Sequence, residues 1–278
     1  METNKNSKKK LIITGIAIIL IAAIGIWYFT YKKPYDSAVS KYDAAAEKIL
    51  KENTNLDKSI NEAQKLIDSK KQPLEESVLV NTKESVKKAK KAKMNVPDAP
   101  KKINDVKKET KVLEKGVDYS KQLAELQKNT QMLDRSIKQL VQVTNPSQEF
   151  VLKALKNIKS INDVKAVTEK NDPNGNLNKA GGYTAAIYFS SSQVDHSLFS
   201  GKDSIDNGAD GGGCVEVYKT KKDAEARNKY LAAFDTAGMM NSGSHSVLGT
   251  IVVRTSSQLT ATQQKKLEKS IIDKLIEL

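Results

Sequence analysis

The hydrophobic pattern divides the chain into an apolar N-terminal run, a long region of regularly spaced apolar residues and a mixed C-terminal region. The first run, Leu11 to Thr30, contains no charged residue. At about 1.5 Å per residue it spans about 30 Å as a helix, which is the thickness of the hydrocarbon core of a bilayer. The pattern therefore predicts a transmembrane anchor over residues 11–31 that contacts the lipid bilayer through Leu11 to Thr30.

The residues flanking this run predict its orientation. Four lysines lie between residues 5 and 10, and the aromatic residues Trp27, Tyr28 and Tyr31 mark the other end. Basic tails are retained in the cytoplasm and aromatic rings favour the interface, so residues 1–10 are predicted to be cytoplasmic and the rest extracellular. A cleavable signal peptide is the alternative, but the apolar run is longer than a usual signal core and lacks a clean A-x-A site.

Residues 34–145 carry apolar residues at alternating spacings of three and four, which is typical of helices that pack on one another. Breaks at 71–73 and 97–100 predict three helices at about 36–70, 74–95 and 99–143, folded as an antiparallel bundle, coiled coil or hairpin spacer. The predicted contact positions are Ile60, Ala63, Ile67, Leu79, Val86, Ala89, Lys93, Ile103, Val106, Thr110, Leu113, Val117, Leu126, Leu133, Ile137 and Leu140.

Residues 146–278 combine helical and strand patterns and are predicted to form an extracytoplasmic α+β domain. Asn145 and Pro146 favour a helix start, and Thr220 and Thr260 cap two later helices. Alternating or β-branched segments predict strands at 163–168, 183–190, 213–219 and 247–255. The predicted order is an α-β-β-β-α-β-α sandwich with its helices on one face of the sheet.

Two resemblances follow from these patterns. The helical spacing of Ile60, Ala63, Leu66, Ser77, Leu79, Val86, Ala89, Pro97, Ile103, Val106 and Leu113 resembles the FIVAR-type modules of Gram-positive surface proteins. The blocks 171–189, 206–218, 221–235 and 243–268 resemble, in order and spacing, an uncharacterised C-terminal domain of membrane-anchored Gram-positive proteins. The second resemblance implies an envelope location and an anchor-helix-domain architecture, but no activity and no functional residues.

The charge is strongly basic, with 46 lysines and arginines against 33 acidic residues. Only Arg135, Arg227 and Arg254 are arginines. A lysine surplus suits diffuse attraction to a polyanion better than base readout, so no specific nucleic acid is predicted as a partner. The sharpest basic run, Lys83 to Lys93, is interpreted either as a solvated helix face or as a contact for an anionic polymer or lipid head groups.

Candidate chemistry is sparse, and no catalytic, cofactor or metal residue is predicted. Cys214, His196 and Arg254 occur in the same order as the histidine, cysteine and arginine of sortases, but the surrounding motif is absent. Alternation places Cys214 on one face of its strand with Glu216 and Tyr218, which predicts an ordinary, partly accessible thiol. Neither a P-loop nor a GxGxxG motif occurs.

The acidic turn from Asp203 to Asp210 is the remaining candidate. Asp203, Asp206, Asn207 and Asp210 lie among glycines and suggest a weak calcium loop, but the EF-hand positions do not fit. A flexible acidic turn is therefore the favoured interpretation, and a weak calcium site stays open.

These features support three hypotheses. The first is a non-catalytic, single-pass envelope protein whose extracytoplasmic domain binds an envelope protein or an anionic cell-wall polymer. The second is an extracytoplasmic hydrolase or transpeptidase that uses Cys214, and a reactive thiol would distinguish it from the first. The third is a subunit of a membrane assembly that pairs through its helices.

Overall fold

The N-terminal half begins with one long helical rod. The computed structural model describes residues 3–235 and 242–278, so Met1 and Glu2 of the predicted tail lie outside the described residues. Helix α1 (Thr3–Trp27) continues through a π-helical segment (Tyr28–Lys32) into α2 (Lys33–Asp68). The rod contains a stretch long and apolar enough to cross a membrane, and none of the side chains in that stretch is buried.

Helices α3 (Glu76–Ala92), α4 (Ile103–Leu113) and α5 (Ser120–Gln142) follow α2. The predicted single helix at 99–143 is therefore wrong, because the chain breaks between α4 and α5. Gly116 adopts a φ of +72° there, the left-handed conformation that commonly ends a helix. The other two predicted helices are present, and the predicted breaks at 71–73 and 97–100 are non-helical.

The chain contacts divide the molecule into two units, and the first comprises residues 1–68 with 81–130. Its apolar contacts form two clusters along α2. Tyr42 and Ile49 pack with Val106 and Leu113, and further along Ile60 packs among residues of α3 and α5. The predicted contact positions Ile60, Ala63, Val86, Ala89, Val106, Leu113 and Leu126 are buried.

Tyrosine hydroxyls hold the extended segment between α3 and α4 against α2. The hydroxyl of Tyr35 donates to the carbonyl of Pro100 at 2.9 Å, and that of Tyr42 donates to the carbonyl of Pro97. The buried Asn53 amide donates to the carbonyl of Met94 at 2.9 Å. These bonds satisfy backbone groups that a helix would otherwise pair internally.

The second unit comprises residues 69–80 and 131–278 and contains a five-stranded antiparallel sheet. Its elements are α6 (Gln148–Lys156), β1 (Ile161–Ala166), β2 (Tyr183–Ser191), β3 (Gly212–Tyr218), α7 (Lys221–Asp235), β4 (His245–Leu248), β5 (Ile251–Thr255) and α8 (Ala261–Leu275). The strand order is β1-β2-β3-β5-β4. The α+β class is confirmed.

Two details of the predicted sandwich are wrong. The segment 247–255 is a hairpin rather than one strand, because Gly249 turns the chain with a φ of +61°. Helices cover both faces of the sheet: Val215 and Ile251 lie in the cluster that includes residues of α6 and α8, whereas Cys214 lies in the cluster of α7. Strands β2 and β3 are buried on both sides, so both faces need a cover.

The caps of this unit are mostly those that the sequence predicts. Thr260 and Gln263 form a capping box at α8, and the Thr220 hydroxyl accepts a hydrogen bond from the amide of Asp223. At α6 the cap is Ser147 rather than Asn145: the hydroxyl of Ser147 accepts from the amide of Phe150, and Asn145 has a positive φ. The chain therefore turns at Asn145 and enters the helix two residues later.

The second unit extends further towards the N-terminus than composition predicts. Val143 is completely buried in its core, and its carbonyl accepts from the amide of Thr250 at 3.1 Å. The side chain of Gln142 donates to the carbonyls of Leu275 and Glu277. The end of α5 is thus part of the packing of the sheet domain, although the change in composition lies near residue 145.

Candidate binding cleft

Cys214 lies on the central strand β3, opposite Arg254 on β5. The prediction that it shares a face with Glu216 and Tyr218 agrees with the structure, but the predicted partial accessibility is wrong, because Cys214 is completely buried. Burial raises the pKa of the Cys214 thiol, and the negative charge of Glu216 raises it further. A buried, protonated thiol is a poor nucleophile.

The two other members of the sortase-like order engage different partners. His196 is exposed on a short turn after β2, where its Nε2 lies 2.8 Å from the carbonyl oxygen of Ser191. The guanidinium of Arg254 donates to Glu216. The described contacts of these side chains therefore do not form a site around the Cys214 thiol.

Glu216 is the centre of a buried ionic network in the sheet domain. Arg227 on α7 donates through Nε to Oε2 at 2.8 Å and through Nη2 to Oε1 at 2.9 Å. Arg254 adds a bond from Nη1 to Oε1 at 3.2 Å, and the Tyr218 hydroxyl donates to Oε2 at 2.8 Å. The carboxylate thus receives four hydrogen bonds, and the network carries a net charge of +1.

Local structure explains why these groups meet. Glu216 and Tyr218 are two residues apart on β3 and share a face, and Arg254 is a diagonal neighbour on β5 whose long side chain reaches the carboxylate. Arg227 lies between Ala224 and Leu231, which are the buried positions of α7. Helix α7 therefore presents its arginine to the sheet at the same spacing as its apolar contacts.

The charge on Glu216 is stabilised by its partners. Burial by itself raises the pKa of Glu216, but the hydrogen bonds and the charge of Arg227, together with the charge of Arg254, outweigh burial and lower that pKa below its ordinary value. Two arginines for one buried carboxylate also fix α7 and β5 against β3. We interpret the network as the structural connection between α7 and the sheet.

The two polar turns serve local structure. Asp172 accepts from the amides of Asn174, Asn176 and Leu177, which agrees with the predicted turn at 171–176. Asp203 accepts from the amides of Ile205 and Asp206. Between residues 3 and 235 and from 242 onwards, no group of three or more histidine, cysteine, aspartate or glutamate residues is arranged to hold a metal ion.

A cleft of about 470 Å³ lies in the sheet domain between the end of α6, the turn after β2 and α8. This volume falls in the range of small-molecule and cofactor sites. Ile158 and Leu267 provide the apolar part of its lining. The polar residues that line it are Asn157, Lys159, Ser160, Gln193, Lys266, Ser270, Asp273 and Lys274.

The electrostatics of the cleft favour an anion. Lys274 is paired with Glu277, and the carboxylate of Asp273 is occupied by Lys269. Within the described residues, no hydrogen bond or ion pair engages the ammonium groups of Lys159 and Lys266. Two unpaired cations beside hydroxyl and amide groups suit a hydrated anionic ligand better than an apolar one.

Sequence reasoning missed this cleft. The signal was available in part, because Lys266, Ser270 and Lys274 form a polar stripe one position before the apolar seam of α8. Lys159 and Gln193 come from other elements, and only the fold brings them to this stripe. Comparison with known proteins adds no further residue: no family model, curated protein or solved structure matches the chain.

Proposed function

We propose that the chain is a non-catalytic, single-pass membrane protein of the cell envelope that presents an extracytoplasmic binding domain. The observation that carries the proposal is the exposure of the apolar side chains of α1. Leu11 is 74% exposed and Ile19 is 69% exposed, and apolar residues occur on all sides of the helix. Such a helix is stable in lipid, whereas in water it would leave a large apolar surface uncovered.

The proposed orientation has the N-terminus in the cytoplasm and residues 34–278 outside. Lysines precede the apolar run, and Trp27 and Tyr31 stack at its other end with ring centroids 6.4 Å apart. Lys32 and Lys33 oppose this orientation, but long C-terminal regions are translocated largely regardless of their charge. The resemblance to Gram-positive surface modules supports the same location.

Protease added to intact protoplasts is therefore expected to remove the sheet domain. The reason is that only residues N-terminal to the anchor should be protected by the membrane. The measurement is immunoblotting with tags at either terminus, with lysed protoplasts as the control for cleavage. Protection of a C-terminal tag in intact protoplasts would contradict the orientation.

The proposed ligand of the cleft is an anionic cell-wall polymer. Lys159 and Lys266 offer two point charges without the planar geometry of arginine, which fits phosphate groups presented by a flexible chain. An envelope protein as partner is the alternative that a binding experiment would distinguish. Because exposed charges are screened by salt, binding should weaken at high ionic strength.

Replacing Lys159 and Lys266 with glutamine is expected to weaken binding to poly(glycerol phosphate) by about fivefold, since an exposed charge pair contributes roughly 0.2 to 1 kcal/mol. Calorimetric titration of the polymer into the protein would measure this. The matched control is K221Q/K222Q on α7, which removes two exposed lysines from the helix on the opposite sheet face. Equal losses in both double variants would argue against the cleft as the site.

A further inference from the structure

A second cleft lies in the helical unit, between α2 and α4. It has a volume of about 460 Å³ and is lined by the first residues of α2, including Pro34, Ser37 and Lys41, and by Lys107 and Lys111 of α4. All of these residues belong to the same unit. The cleft is separate from the one proposed above for the cell-wall polymer.

The cleft carries an excess of positive charge. Lys41, Lys107 and Lys111 line it with one acidic residue, Glu114. Within the described residues, no hydrogen bond or ion pair engages the three ammonium groups. The lysines of α3 differ in part, because Lys88 is paired with Glu125 and Lys90 donates to Gln64.

The position of the cleft along the rod indicates its ligand. At about 1.5 Å per residue, Pro34 lies about 6 Å beyond Thr30 and Lys41 about 17 Å beyond it. The head-group layer is roughly 5 to 8 Å thick on each side of the hydrocarbon core. Side chains on a helix point back towards its N-terminus, so Lys41 extends towards the membrane surface.

The basic run at 83–93 lies too far along the rod to share this position. Lys93 is paired with Asp57 on α2, and Lys90 donates to Gln64. Asp57 is about 40 Å beyond Thr30 at the helical rise, which is several Debye lengths at physiological ionic strength. Of the two interpretations of this run, a contact with lipid head groups is therefore disfavoured.

We propose that Lys41, Lys107 and Lys111 bind the phosphate of an anionic phospholipid head group in this cleft. The inference rests on the proposed membrane anchoring. Binding to the head group fixes α4 against the first turns of α2 at the membrane surface. The aromatic column Trp27, Tyr31 and Tyr35, whose rings stack at centroid distances of 6.4 and 6.3 Å, continues from the anchor into the same turns.

The test is hydrogen exchange of the full chain in nanodiscs of phosphatidylcholine alone and of phosphatidylcholine with 30% phosphatidylglycerol, where about 30% is a practical composition for anionic lipid binding. Amides in 34–41 and 107–114 are expected to exchange at least about fivefold more slowly in the anionic discs, which is the effect of roughly one lysine-lipid contact. K41Q/K107Q/K111Q should abolish the difference. A chain that does not incorporate into either disc would contradict the membrane anchoring itself.

The control variant is K83Q/K87Q/K91Q, which removes the same charge from α3. It should keep the protection of 34–41 and 107–114 in anionic discs. Three results would overturn the proposal for an incorporated chain: equal exchange in both lipids, equal loss of protection in the two triple variants, or persistence of protection in K41Q/K107Q/K111Q. Circular dichroism of both variants checks that the helices are retained.

Discussion

Replacing Glu216 with glutamine is expected to destabilise the sheet domain by about 3 to 5 kcal/mol, the usual cost of removing one partner from a buried ion pair. Glu216 is completely buried and receives four hydrogen bonds from Arg227, Arg254 and Tyr218. The substitution would leave two largely buried guanidinium groups without a counter-ion. Arg254 is the more affected, since its Nε already has no partner.

Urea unfolding of residues 131–278, followed by circular dichroism, would measure this loss. The matched control is Glu225→Gln on α7, which breaks an exposed pair with Lys221 and should cost less than about 0.5 kcal/mol. A loss below about 1 kcal/mol in Glu216→Gln would contradict the structural role of the network.

The same network predicts a dependence on pH. The folded-state pKa of Glu216 is lowered, so its contribution to stability is complete above the ordinary glutamate pKa of about 4.3 and is lost as the pH falls through the lower folded pKa. Between about pH 5 and pH 3, the free energy of unfolding should therefore decrease more in the parent protein than in Glu216→Gln.

A fragment of residues 146–278 is expected to be less stable than one of residues 131–278 by about 3 kcal/mol or more. The shorter fragment lacks Val143, whose burial contributes roughly 1.5 to 3 kcal/mol, and the hydrogen bonds of Gln142, at about 1 kcal/mol each. For a domain of this size, the melting temperature should differ by about 10 °C. Sequence alone predicts that residues 146–278 fold independently.

Thermal unfolding of both fragments would measure the difference. Within the longer fragment, Val143→Ala should cost about 2 kcal/mol because it leaves a cavity in the core. Val141→Ala is the matched control, since Val141 is 70% exposed two residues earlier on the same helix. Equal melting temperatures for the two fragments would show that the end of α5 is not needed by the sheet domain.

Where the structure departs from the sequence-based expectation, the deciding signal is often one glycine. Gly116 separates α4 from α5, and Gly249 divides the predicted last strand into a hairpin. In both cases the flanking residues continue the same helical or β-branched pattern, so periodicity alone favours one long element. A positive φ at glycine is inexpensive, and the surrounding packing decides whether the chain uses it.

The sequence by itself determined the elements that depend on neighbours along the chain. The apolar run of α1, the seams of α2 to α5, and the capping of α7 and α8 are local patterns with a spacing of three or four residues. These patterns persist in the structure because burial of one helix face requires only that the face be apolar.

Only the tertiary structure decided what lies on the second face of the sheet and in the two clefts. Along β3, Glu216 alternates with valines like a solvent-facing residue, yet it is buried because Arg227 and Arg254, 11 and 38 positions away, neutralise it. Cys214 is covered for the same reason, as α7 packs over that face. Alternation states which side chains share a face, but the free energy of burying that face depends on partners that lie far away in the chain.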